Sequence, residues 1–84
     1  MQIPRPGDTK FRVLVEVNDH CAANATGPTI SELQERIHLG SRSAVQFHID
    51  DLVEMGLLAR LPYKPRGLRP TSRGKKLVDL LTEE

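Results

Sequence analysis

The sequence predicts a mostly α-helical domain carrying a small β-hairpin, a winged helix-turn-helix. Three observations predict it. Residues 27–56, GPTISELQERIHLGSRSAVQFHIDDLVEMG, read as a short helix, a tight turn and a longer helix. Each of those two helices opens on a residue suited to cap it, Thr29 and Ser41. Two short apolar runs separated by a proline-rich loop then follow, before a last amphipathic segment.

Residues 1–7 hold two prolines and a glycine and read as a flexible arm, leaving residues 8–84 as a single domain. The first helix starts at Asp8 or Thr9 and places Phe11, Leu14, Val15, Val17 and Cys21 on one face. Val13, Val15 and Val17 also alternate as in a strand, but the Cys-Ala-Ala that follows favours the helix. Thr29 and Glu32 have capping-box spacing at the start of the second helix, in which Ile30, Leu33 and Ile37 share one side. That helix ends near Ile37 or His38, and Gly40 is the residue expected to supply a positive φ in the turn. The helix-turn-helix is assigned to residues 29–55.

In the third helix Val45, His48, Ile49, Leu52 and Met55 fall on one face. Ser43, Phe47, Asp50 and Glu54 fall nearly opposite, with Gln46 beside them. Phe47 is out of place on a polar face. Gly56 suits the position after the helix end. Leu57 to Leu61 and Gly67 to Thr71 read as the strands of a wing over residues 57–71. A final helix over 72–82 carries Leu77, Val78, Leu80 and Leu81, a wider stripe than the first helix needs, so the surplus is either core or a dimer face.

Charge is distributed unevenly. The net charge is only +1, yet from Gly56 to Val78 there are seven basic residues and no acid: Arg60, Lys64, Arg66, Arg69, Arg73, Lys75 and Lys76. From Asp8 to Met55 there are eight acids and four bases. The basic third gives either a one-sided positive field or a merely solvated hairpin. A single cysteine, Cys21, forms no internal disulfide and suits a reducing cytoplasm. No apolar run approaches the roughly 18 residues of a membrane span, and the first residues, MQIPRPGDTK, contain no apolar signal region.

These features point to double-stranded DNA. The first turn of a recognition helix lies deepest in the major groove. Ser41, Arg42, Ser43, Gln46 and Phe47 are therefore the candidates for groove contact. Arg42 has the fork that reads guanine, Gln46 the amide that reads adenine, and Phe47 can rest on a thymine methyl. Lys64, Arg66 and Arg69 are candidates for phosphate or minor-groove contact from the wing, with Arg60 as a helper, and Thr29 for phosphate at the second helix. A palindromic operator bound by a homodimer is the expected arrangement. Phe47 beside Asp50 and Glu54 also allows a protein–protein module. His20, Cys21, His38 and His48 lack zinc-site spacing, so no metal is expected, and His48 is expected at the core edge with one nitrogen satisfied. No nucleophile motif or phosphate loop indicates a cofactor or an enzyme.

Residues 27–69 resemble the N-terminal DNA-binding domain of LexA, the SOS-response repressor family. That family's Pro-Thr opening is Pro28-Thr29 here, and its serine-rich opening is Ser41-Arg42-Ser43. Its midway His-Leu pair is His48-Ile49, its Lys-Gly-Leu-Ile ending is Met55-Gly56-Leu57-Leu58, and its wing motif is Lys64-Pro65-Arg66. The resemblance implies a bacterial transcriptional repressor. The family's self-cleaving domain does not follow within the 84 residues, which suggests either a fragment or a small stand-alone regulator. Thr71-Ser72-Arg73-Gly74 and the apolar helix after it look more like the C-terminal part of MarR-like winged helices. Phe47 stands where the family usually has a polar residue, which bears on the operator sequence.

Overall fold

A computed structural model describes residues 8–61 and 67–82. Four helices and a two-stranded antiparallel hairpin succeed one another as α1 (Thr9–Asn24), α2 (Ile30–Ile37), α3 (Arg42–Glu54), β1 (Leu58–Arg60), β2 (Leu68–Pro70) and α4 (Ser72–Thr82). This is the expected winged helix. The expected arm at 1–7, and Tyr63, Lys64 and Arg66 of the wing, lie outside the described residues.

Helix α1 is the hub: α2, α3, α4 and β2 all pack on it. It is a helix rather than a strand because its apolar residues pay off on a helical face, with Phe11, Leu14 and Val17 buried. The stripe sits slightly off the expected one. Val13 is fully buried whereas Val15 is only partly covered, because α1 has neighbours on more than one side. Leu33 and Ile37 of α2, and Val45, Ile49 and Leu52 of α3, complete the helical core. Phe11 is its one aromatic ring among the described residues, and aliphatic side chains fill the rest of the described interior.

Local chemistry starts each helix of the pair. The Thr29 hydroxyl accepts from the Glu32 N–H at 3.1 Å, and the Glu32 carboxylate accepts from the Thr29 N–H at 2.8 Å. Both members of the expected capping box are thus present. An eight-residue helix has little internal cooperativity and depends on such caps. Thr29→Ala is expected to lower stability by about 1 kcal/mol, read as a lower urea midpoint with an unchanged slope. Ser41 caps α3 by accepting from the Ala44 N–H at 3.2 Å.

The turn between them departs from expectation. His38, not Gly40, takes the left-handed conformation, with φ +63°. The chain must reverse at the first residue past the last helical one, so that the Leu39 N–H reaches the Gln34 carbonyl at 3.2 Å. Gly40 lies two residues later, outside the positive-φ region. Gly56 does adopt positive φ, +78°, after the C-cap Met55.

Strands β1 and β2 have three residues each and pair as Leu58–Pro70, Ala59–Arg69 and Arg60–Leu68. So short a ribbon is marginal alone. It is held because Leu58, Leu68 and Pro70 are buried. Helix α4 then returns along α1 and β2. Its cap is Thr71, whose hydroxyl accepts from the Gly74 N–H at 3.0 Å and donates to the Gly56 carbonyl at 2.6 Å. Of its apolar stripe, Val78 is buried and Leu77 half-buried, while Leu80 and Leu81 face solvent.

Candidate nucleic-acid interface

The start of α2, the first two turns of α3 and the base of the hairpin meet around an open cleft of about 350 Å³. Thr29, Arg42, Gln46 and Arg60 line it, together with Pro28 and Ile30. Four of the site residues proposed from the sequence are thus brought together, although they come from three different elements. Ser41, Arg42, Ser43 and Phe47 are exposed, and Gln46 is half-buried. Phe47 is 61% exposed, with its ring edge toward His48 at 5.7 Å between centroids. It is therefore a surface side chain and not a folded-back core residue.

Asp50 organises this face. Its Oδ1 accepts from the Arg60 guanidinium at 2.8 Å and from the Gln46 amide at 2.9 Å. These hydrogen bonds, that of Arg60 first, hold the Asp50 carboxyl below the usual carboxylate range. The pairing therefore persists at neutral pH and is lost only as acid protonates the group. Asp51, the adjacent acid, turns the other way and takes Lys10 of α1 at 2.7 Å. Asp50 and Asp51 are thus matched by cations, while Glu54 stays exposed. The sequence alone places Asp50 on this face beside Glu54. The i, i+4 spacing of Gln46 and Asp50 was the available signal. The Arg60 contact becomes visible only once β1 is docked.

Two wing residues separate. Register pairs Arg69 with Ala59 and Arg60 with Leu68, so Arg60 and Arg69 project from opposite faces of the ribbon. Arg69 joins Lys75 beside a second cavity of about 260 Å³, which Cys21 and Gly27 also line. There burial pushes the Cys21 thiol up, against the opposing pull of Arg69 and Lys75. Arg60 thus lies at the first cleft and Arg69 at the second. Lys64 and Arg66 lie outside the described residues.

Nδ1 of His48 is buried with no hydrogen-bond partner among the described residues. The ring meets that of Phe47 in an edge-on arrangement. Among the described residues no group of three His, Cys, Asp or Glu side chains could hold a metal. No helix described is long and apolar enough to cross a membrane.

Comparison with known families bears directly on this geometry. A family model for the LexA DNA binding domain matches residues 9–67, which span α1 through β1 and the start of the return toward β2. The chain belongs to the LexA DNA-binding domain family. Its similarity to LexA repressors is consistent across several bacteria. The LexA repressor of Lacticaseibacillus casei (strain BL23) is 31% identical over 67 residues, covering 80% of this chain and 32% of the relative. That of Oenococcus oeni is 45% identical over 51 residues, covering 61% and 24%. That of Limosilactobacillus fermentum is 30% identical over 83 residues, covering 98% and 40%. The chain thus spans about a third of the length of the LexA repressors it matches. The LexA family match ends before β2 and α4, so the cleft residues from Thr29 to Arg60 lie within it and Leu80 and Leu81 lie beyond it.

Proposed function

We propose that this chain binds double-stranded DNA sequence-specifically as part of a bacterial transcriptional repressor, with α3 in the major groove. The observation that carries the reading is the uncovered start of α3. Arg42, Ser43 and Phe47 stand exposed beside a cleft whose other wall includes Arg60, in a domain of the LexA DNA-binding family. Arg42 reads a guanine through its fork, and Phe47 rests on a thymine methyl. Ser41 and Ser43, with the free amides of the helix start, approach phosphate. Thr29 does the same at the start of α2. Gln46 reads adenine when its amide leaves Asp50. Arg60, Lys64 and Arg66 neutralise phosphates from the wing, and Arg69, on the other hairpin face, adds to the long-range field. Two copies bind a palindromic site as a homodimer. The reading needs no cofactor or metal and no catalytic step, and it places the protein in the cytoplasm with the chromosome.

Titrating duplex DNA at about 50 and 200 mM salt tests it. Binding is expected to weaken with salt, with a log–log slope of roughly −0.9 for each phosphate neutralised. No binding at low salt, or affinity indifferent to salt, overturns it. Selection from a random duplex library then shows the half-site and its spacing.

Asp50 supplies a second check. Asp50→Asn removes one negative charge from the groove face and loosens Arg60 and Gln46. Affinity for unselected DNA is expected to rise about 3- to 10-fold at low salt, with a smaller preference for the selected site. Filter binding against both DNAs measures the two changes together.

The exposure of Phe47 next to Glu54 favours one other reading, a protein–protein contact through the same face. If Phe47→Ala abolishes a protein complex and leaves DNA affinity unchanged, that reading replaces the first.

A further inference from the structure

One oxygen of the cleft serves two donors. Gln46 from α3 and Arg60 from β1 both donate to Oδ1 of Asp50, at 2.9 and 2.8 Å. Both donors line the cleft at the start of α3. Asp50 and Arg60 are exposed, so packing does not lock the trio, and either donor can swing to another acceptor. An ionised carboxylate only accepts, and it carries a full charge. Beside DNA that charge faces phosphates, and Glu54, one turn further on and exposed, adds to it. Asp50 stripped of both donors is therefore costly there, whereas the loss of one donor tightens the other. Two assignments remain. With Arg60 on a phosphate, Asp50 retains Gln46, which then reads no base. With Gln46 on a base edge, Asp50 retains Arg60, and one phosphate fewer is neutralised.

We propose that Asp50 makes these two contacts alternatives: Arg60 takes phosphate on unselected DNA, and on the operator Gln46 reads its base while Arg60 stays on Asp50. Asp50 is thus a positioning residue that exchanges a sequence-blind contact for a sequence-reading one. Arg60, which touches no base, licenses the reading by Gln46 because it satisfies the carboxylate that Gln46 leaves. The inference rests on the DNA-binding reading above and deepens it by naming when each contact forms.

Competition binding of the 84-residue chain against operators altered one base pair at a time tests it. Gln46→Ala identifies the pair that Gln46 reads. Arg60→Ala should lose a preference of about 5- to 100-fold at that same pair, because Asp50 then keeps Gln46. D50N/R60A should restore that preference to within about threefold of wild type. An arginine that only neutralises phosphate would instead weaken all sequences alike and leave the preference standing. Arg60→Ala should also flatten the salt slope on unselected DNA by about 0.9 per bound copy and leave the operator's slope unchanged. The inference is overturned if Arg60→Ala keeps the preference, if D50N/R60A fails to restore it, or if Gln46→Ala leaves every preference intact. Without DNA, the Asp50 carboxyl followed by carbon NMR should titrate higher in Arg60→Ala than in wild type, since its strongest donor is gone. An unchanged titration overturns the shared arrangement. If wild type binds no DNA at all, the DNA-binding proposal fails, and the titration still decides whether Asp50 holds Arg60.

Discussion

Replacing Gly74 with alanine is expected to destabilise the domain by about 2–4 kcal/mol. Helix propensity argues the other way, since alanine is favoured over glycine by about 1 kcal/mol inside a helix. Packing decides the sign. Gly74 is buried in the first turn of α4, and a Cβ there would overlap the Leu57 carbonyl oxygen and press on Leu14 Cδ1. That same oxygen accepts the Thr71 N–H at 3.0 Å, so it cannot retreat without breaking a bond that ties α4 to the end of the helix-turn-helix. Backbone has less freedom to yield than the tip of a side chain, and the helix must move instead. Urea unfolding followed by circular dichroism measures the loss. A variant as stable as wild type, or more stable, would show that propensity outweighs the contact.

The second large effect is on recognition. Arg42→Ala is expected to reduce affinity for the selected operator by about 10- to 100-fold, within the 1–3 kcal/mol range of a bidentate base contact. Preference should vanish at one base pair of each half-site and persist elsewhere. The motivation is placement. Arg42 is the first residue of α3, is exposed, lines the cleft, and forms no ion pair among the described residues. Arg60, by contrast, is already engaged with Asp50. Competition binding against operators altered one position at a time separates the outcomes. A uniform loss across all sequences, with a shallower salt slope, would instead make Arg42 a phosphate contact.

What was legible in the sequence was what depends on neighbours along the chain. The Thr29–Glu32 box, the Ser41 cap and the split faces of α3 each involve residues three or four apart, and the structure bears them out. The register of the hairpin was not legible, because the loop between the strands leaves the pairing open by one residue, and one residue changes the face. It is the register that sets Arg60 and Arg69 on opposite faces. The role of Asp50 was hidden for a related reason, since Arg60 reaches it only after β1 docks beside α3. Gly74 carried no signal at all. Its need for a missing side chain arises from the Leu57 backbone, which is distant in sequence. His38 in place of Gly40 shows that the position of a helix end can outrank the glycine nearest to it.

The Thr71 hydroxyl joins the end of α3 to the start of α4. It donates to Gly56, just past the end of α3, and accepts from Gly74, in the first turn of α4. The start of α4 is therefore hydrogen-bonded to the end of the helix-turn-helix through one oxygen. Where two copies bind one operator as proposed, each reading helix moves with its whole domain, and the protein behaves as a ruler laid along the duplex. Operators would then be accepted or refused by phase. Adding about half a helical turn, roughly 5 base pairs, between half-sites should abolish paired binding even though every contacted base is retained.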